Sequence, residues 1–229
     1  MAFGRLAATA QGFEFPYAEK IESVGCGLWY GCVAFQLEAV TVWDVDATDL
    51  DYHALQHAKP GRGRILYYDI LEAKTELREH YDVVLLFDVL EHLESTQPFI
   101  KALLQHIKVG GHLIVNVPAL QWLYSRYDQV QGHVRRYNQT TLAQEFQPFP
   151  LAIQDTRYWG LTNVPIIGVR KLWLGLARGQ SNEEIFQQGF KPPNHSVNEA
   201  LLRLMRLELS VIKRPWLGSS VLMIGEKTR

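Results

Sequence analysis

Three short stretches of this 229-residue chain carry residue types that can do chemistry. Gly25-Cys26-Gly27 stands between an apolar run and a helix-like stretch. Glycine there permits backbone angles and close approaches that a side chain would block, as a loop against a nucleotide-like ligand requires. Asp44 ends the next apolar run, and one carboxylate can accept two hydroxyl hydrogen bonds at once. The second stretch is Asp88-x-x-Glu91-His92, directly after the apolar run Val83 to Phe87. An imidazole titrates near neutrality and can take a proton from a reacting group, and paired carboxylates suit a hard cation. The third is Tyr127 to Tyr137, where Arg135 and Arg136 can hold a carboxylate or phosphate by paired hydrogen bonds. Each has a plainer reading: Asp44 as a helix N-cap or turn residue, His92 as a helix-start histidine bonded to backbone, one arginine as a lock on an acidic helix end.

The surrounding pattern gives these residues their positions. From Lys20 to Val117 short apolar runs alternate with helix-like segments, as βαβ units carrying a mainly parallel sheet do. Strands are expected at Ile21 to Val24, Val40 to Trp43, Ile65 to Tyr68, Val83 to Phe87 and His112 to Val117. Helices are expected near Tyr30 to Glu38, Asp49 to His57 and Gln97 to Ile107, the last capped at Val109-Gly110-Gly111. Further strands at Ala152 to Trp159 and Ser220 to Ile224 flank a long segment with two helix candidates. The expected fold is α/β, a doubly wound Rossmann-like, mainly parallel seven-stranded sheet with a helical insertion before the last strand. Residues 1–159 and 216–229 would form the core, and 160–215 the insertion or cap.

Composition narrows the class. A net charge of −1 argues against a globally nucleic-acid-binding surface. Cys26 and Cys32 fit neither a redox pair nor a zinc site, and are read as reduced thiols of a cytoplasmic protein. No targeting segment is assigned at the N-terminus, and Val164 to Ala177 is too short and too interrupted by Arg170 and Lys171 to span a bilayer. Residues 157 to 214 carry nine Lys or Arg against four Asp or Glu, a balance of +5. That basic, apolar insertion reads as a cap or homodimer surface, or as a platform for an anionic lipid-linked substrate or the inner face of a membrane.

The order of parts from Ile21 to Pro118 resembles the class I methyltransferases that use S-adenosyl-L-methionine. The likeness is strongest at Tyr81-Asp82-Val83-Val84-Leu85-Leu86-Phe87-Asp88-Val89-Leu90-Glu91-His92-Leu93, similar to that family's fourth strand and LEH signature. Gly110-Gly111-His112-Leu113-Ile114-Val115-Asn116-Val117-Pro118 is similar to its fifth strand. Gly132-His133-Val134-Arg135-Arg136-Tyr137 resembles a GHxRRY signature of a bacterial branch.

The resemblance implies a cofactor site of Gly25, Cys26, Gly27, Asp44, Val45, Asp69, Ile70, Asp88 and Val89, with Asp44 on the ribose hydroxyls and Asp69 facing the adenine amine. It implies His92 and His133 as catalytic residues, and Tyr127, Arg135, Arg136 and Tyr137 around the acceptor. Metal is not expected; the set that would hold one, by likeness to ExxEH methyltransferases, is Asp88, Glu91, His92 and His133. The implied activity is methyl transfer to a small-molecule or lipid-linked acceptor, at oxygen. Ser23 and Trp29 depart from the family's first loop, where an acid and a third glycine are usual. A degenerate fold kept as a non-catalytic binding protein therefore stands beside it, as does a nicotinamide-dependent oxidoreductase, since a glycine loop and an acid about 20 residues later also fit a dinucleotide site.

Overall fold

The structure, a computed structural model, describes residues 22–26, 44–57, 61–176, 181–185 and 195–229. Strand β1 is Glu22–Cys26, β2 Asp44–Asp49, β3 Ile65–Tyr67, β4 Tyr81–Phe87, β5 Ile107–Pro118, β6 Leu151–Trp159 and β7 Ser220–Lys227. They hydrogen-bond in the order β3-β2-β1-β4-β5-β7-β6. Neighbours from β3 to β5 run parallel, while β7 is antiparallel to both β5 and β6. Helices α1 (Tyr52–Gln56), α2 (Gln97–Leu104), α3 (Arg126–Val130), α4 (Gln139–Phe146), α5 (Asn163–Leu176) and α6 (His195–Val211) connect them. The architecture is Rossmann-like.

Burial explains why β4 and β5 are legible as continuous apolar runs. Val84, Leu86, Leu113 and Val115 are inaccessible to solvent, as central parallel strands covered on both faces must be. Ile100, Leu103 and Leu104 of α2 complete the same cluster at helical spacing.

Two boundaries differ from expectation. The run Val40 to Trp43 lies outside the described residues, and β2 begins at Asp44 where a strand was expected to have ended. A strand rich in aspartate is held by partners distant in sequence. Asp46 accepts from Arg64 Nε at 3.0 Å and from the Tyr81 hydroxyl at 2.9 Å, and Arg64 N donates to its other oxygen at 2.7 Å. Burial alone would raise the Asp46 carboxyl, but these donors hold it below the usual carboxylate range. The second difference is at α2, which ends at Leu104. Gly110, at φ 79°, serves a bulge where pairing shifts from Tyr81↔Ile107 to Val83↔His112, and not a helix cap. A Cβ on Gly111 would stand 2.9 Å from the Asp82 carbonyl oxygen.

A polar chain crosses the sheet to its carboxyl edge. Trp159 Nε1 donates to Asn116 Oδ1 at 2.8 Å, and Asn116 Nδ2 donates to Asp88 Oδ1 at 3.1 Å. Asn116 is buried, so it fixes the residue that ends β4. Asn116→Ala should destabilise the fold by about 2–3 kcal/mol, since it strands an indole N–H and a carboxylate away from water. Denaturant unfolding checks this, and a loss below about 0.5 kcal/mol would show that neither group depends on Asn116.

Candidate active site

The registers Cys26↔Thr48 and Cys26↔Leu86 bring the carboxyl ends of β1, β2 and β4 level. At that edge lies a cavity of about 140 Å³ lined by Thr48, Asp49, Leu50, Tyr68, Asp69, Ile70, Val89 and Phe99. Asp49 ends β2. Its Oδ1 accepts from the Asp51 N–H at 2.9 Å, while Oδ2 is buried with no hydrogen-bond partner among the described residues. Burial raises its pKa. Asp69 is held in place by accepting from Leu71 N at 2.9 Å, and Thr48 donates to the Tyr68 carbonyl at 3.0 Å.

The expected ribose acid is placed elsewhere. Asp44 pairs with Glu22 at the amino end of the sheet and accepts from Arg62 Nε at 3.1 Å. Val45 is buried within β2 and does not line the cavity. Moving β2 toward the C-terminus exchanges Asp44 for Asp49. Gly25 and Cys26 form the last two residues of β1, where a loop was expected, whereas Gly27, Trp29 and Cys32 lie outside the described residues. Asp69, Ile70 and Val89 border the cavity.

Asp88 follows β4 in the left-handed region, at φ 54°, an unfavourable conformation for a residue with a Cβ. Burial pushes its carboxyl up to about 6, against the lowering influence of His133 and Asn116. The next residues form the 3-10 turn Leu90–His92. Glu91 is fully buried with both carboxyl oxygens unpartnered among the described residues, and burial followed by the neighbouring Asp88 raises it well above the carboxylate range. His92 is lowered by burial and by His133; its ring meets that of His133 edge-on at 4.7 Å. One donor atom each from Glu91, His92 and His133 lies within 4.8 Å of the others. Asp88 is outside that set.

The segment Gly132 to Tyr137 is a latch. Gly132 takes φ 79°, Val134 N donates to the Glu91 carbonyl at 2.8 Å, and the Tyr137 hydroxyl donates to the Leu90 carbonyl at 3.2 Å. Arg135 Nη2 reaches the Leu93 and Glu94 carbonyls at 3.0 and 2.7 Å. Arg136 Nε donates to Asp128 Oδ1 at 2.7 Å and Nη1 to the Ala119 carbonyl at 3.0 Å. Tyr127 is buried beneath the Arg170 guanidinium, 3.8 Å from its ring centre. Arg135 and Tyr137 thus hold the LEH turn and the residues after it, Arg136 is tied to Asp128 and Tyr127 packs under Arg170. Arg135, Arg136 and Tyr137 also line a second cavity of about 530 Å³ together with Gln121, Thr141 and Glu145.

Residues absent from the expected site complete it. Asp128 accepts from His133 Nδ1 at 3.2 Å as well as from Arg136. Its burial opposes the charged form, yet His133, Arg136 and Ser125 draw its carboxyl down to about 2. Ser125-x-x-Asp128 is a capping box, a pattern visible in the sequence. The signal for Asp49 was its place directly before the helical stretch Tyr52–Gln56; nothing local marked Asn116 or Trp159.

A family model described as a methyltransferase domain matches residues 11–155. The ubiquinone biosynthesis O-methyltransferase of Rickettsia canadensis is 32% identical over 98 residues, 42% of each chain. The protein of the same name from Pectobacterium carotovorum is 28% identical over 125 residues, 52% of each. The chain thus spans about half or less of the length of these relatives. The solved structure of Haemonchus contortus phosphoethanolamine N-methyltransferase 2 in complex with S-adenosyl-L-methionine aligns with 99% of this chain and 53% of that one, at a TM-score of 0.62 and 15% identity. At that identity the likeness speaks for the fold alone. The family match covers more than half of the sequence and contains β1 to β5 with the LEH turn, and on it the chain belongs to the methyltransferase-domain family.

Proposed function

We propose that this chain is an S-adenosyl-L-methionine-dependent methyltransferase acting on oxygen of a small-molecule or lipid-linked acceptor, within the LEH and GHxRRY branch. One observation carries the reading: Asp49 presents a buried carboxylate oxygen with no partner among the described residues at the carboxyl edge of the sheet, beside a cavity with apolar walls. A buried acceptor without a donor is costly unless a ligand supplies one, and ribose hydroxyls would. Val89, Ile70 and Phe99 would enclose an adenine, with Asp69 at its polar edge. The names of the relatives support oxygen as the methylated atom. We further assign 1–159 and 216–229 to a doubly wound core and 160–215 to a cap with peripheral membrane contact.

S-adenosyl-L-methionine, when bound, supplies an electrophilic methyl on a sulfonium. The chain must align the acceptor and remove its proton. His92 suits that role, because its lowered pKa keeps it neutral and proton-accepting near physiological pH. Asp128 ties His133 Nδ1, which leaves Nε2 as the free nitrogen of that ring. The latch carries His133 and holds the turn that contains His92, and Asn116 fixes Asp88 ahead of that turn.

A second reading follows from the convergence of Glu91, His92 and His133. One carboxylate with two imidazoles suits a transition-metal dication better than magnesium. Such an ion would neutralise the buried Glu91 and acidify an acceptor hydroxyl.

Three measurements test the assignments. Calorimetric titration with S-adenosylhomocysteine should be weakened at least about tenfold by Asp49→Ala and left nearly unchanged by Asp44→Ala; the reverse ranking would return the ribose to Asp44. His92→Ala should lower kcat far more than S-adenosylhomocysteine affinity, and wild-type activity should fall with acid only below the usual imidazole range, because burial and His133 hold the His92 pKa down. Equal losses of rate and affinity would make His92 a loop-shaping residue. Glu91→Gln should raise the chelator-treated melting stability at pH 7 by about 1–2 kcal/mol. With a raised folded pKa, the wild-type penalty fades as pH falls and the carboxyl takes up its proton, so the gain should shrink in acid. Destabilisation by Glu91→Gln would mean that the carboxylate is satisfied in the free protein, whereas Mn²⁺ stabilising wild type alone would favour the metal reading.

A further inference from the structure

The helices between β6 and β7 turn apolar side chains to solvent. Every exposed residue of α5 is apolar: Pro165, Ile166, Val169, Leu172, Trp173, Gly175 and Leu176, the last 82% exposed. Its two cations face inward, Arg170 over the Tyr127 ring and Lys171 donating to the Trp122 carbonyl. On α6, Val197, Ala200, Leu204, Leu207 and Val211 recur at intervals of three and four, which places them within an arc of about 80° at 100° per residue. All five are exposed, with Leu207 at 59% and Val211 at 69%. Arg203 and Arg206 share the rest of the exposed surface of the helix with His195, Ser196 and Ser210.

These faces are held outward. Met205 and Glu208 form the buried side of α6. The Glu208 carboxylate accepts from Leu161 N and Thr162 N, both at 2.8 Å, and from the Thr162 hydroxyl at 2.5 Å. Rotating α6 to bury the apolar arc would break those bonds and expose Met205. Trp216, 81% exposed, follows directly.

Charge decides what covers such a surface. On the solvent side of this surface stand Arg203, Arg206, Lys213 and Arg214, the last paired with Asp155, against two Glu, of which Glu208 is buried. A second copy meeting this face through a two-fold axis would bring like charges together. A bilayer carrying anionic headgroups instead accepts the apolar arcs at the acyl boundary and pairs the cations with phosphate, with tryptophan indoles at their preferred interfacial depth. We infer that the outward faces of α5 and α6 form a docking surface for an anionic lipid bilayer. This extends the cap assignment and is independent of the methyl-transfer chemistry.

The test is co-sedimentation of the full chain with vesicles of phosphatidylcholine alone and of equimolar phosphatidylcholine and phosphatidylglycerol. Binding should favour the anionic vesicles by about tenfold or more. The Leu204→Ser, Leu207→Ser pair should remove binding to both, while Arg203→Glu with Arg206→Glu should remove the preference for anionic lipid. Both pairs are surface changes, so S-adenosylhomocysteine affinity should stay at its wild-type value, which keeps this outcome separate from that of the cofactor site. Equal binding to both vesicle types, no binding, or a concentration-dependent dimer abolished by the serine pair would overturn the inference.

Discussion

The parallel register of β1 and β2 against β4 is the constraint on which the rest depends. It aligns Cys26 with Thr48 and Leu86, so that Asp49 and Asp88 stand at the level where β1 ends. Asp46 pins this register through Arg64 and Tyr81. A slip of one residue would turn Asp46 to the opposite face and carry Asp49 with it. The ion-paired acid at the amino half thus determines which acid stands free at the carboxyl edge.

Stability and reactivity are divided between neighbouring residues. Asp128, Arg136 and Arg135 are satisfied, their charges taken up by one another and by backbone carbonyls. Asp49 and Glu91 are not, since both keep buried oxygens without donors among the described residues, and Asp88, held by Asn116, sits at positive φ. Strain and unmet polarity of this kind gather where a ligand will supply what is missing. The latch from Gly132 to Tyr137 makes this tolerable, because it secures the LEH turn by backbone contacts that do not use the reactive groups.

Much of the architecture was legible because it is written in local pattern. The continuous apolar runs of β4 and β5 follow from burial on two faces, whereas the glycines of the bulge within β5 were misassigned to a helix cap. Strand β2 begins at Asp44, where a strand was expected to have ended; what permits Asp46 inside it is Arg64 and Tyr81, eighteen and thirty-five positions away. Under the proposed function that shift moves the ribose contact from Asp44 to Asp49. The arginines of the GHxRRY segment were singled out for anion binding, but guanidinium geometry suits carbonyl oxygens as well as carboxylates, and only the fold shows Leu93, Glu94 and Ala119 within reach.

The central claim is that Asp49 accepts the ribose hydroxyls of an adenosyl ligand. Its most direct measurement is the affinity of an S-adenosylhomocysteine analogue lacking the ribose 2′-hydroxyl, compared with the parent compound in wild type and in Asp49→Asn. The account predicts that deleting the hydroxyl weakens wild-type binding about tenfold and matters far less once the carboxylate is gone. An equal loss in both proteins would contradict it, by showing that the hydroxyl is held by another group.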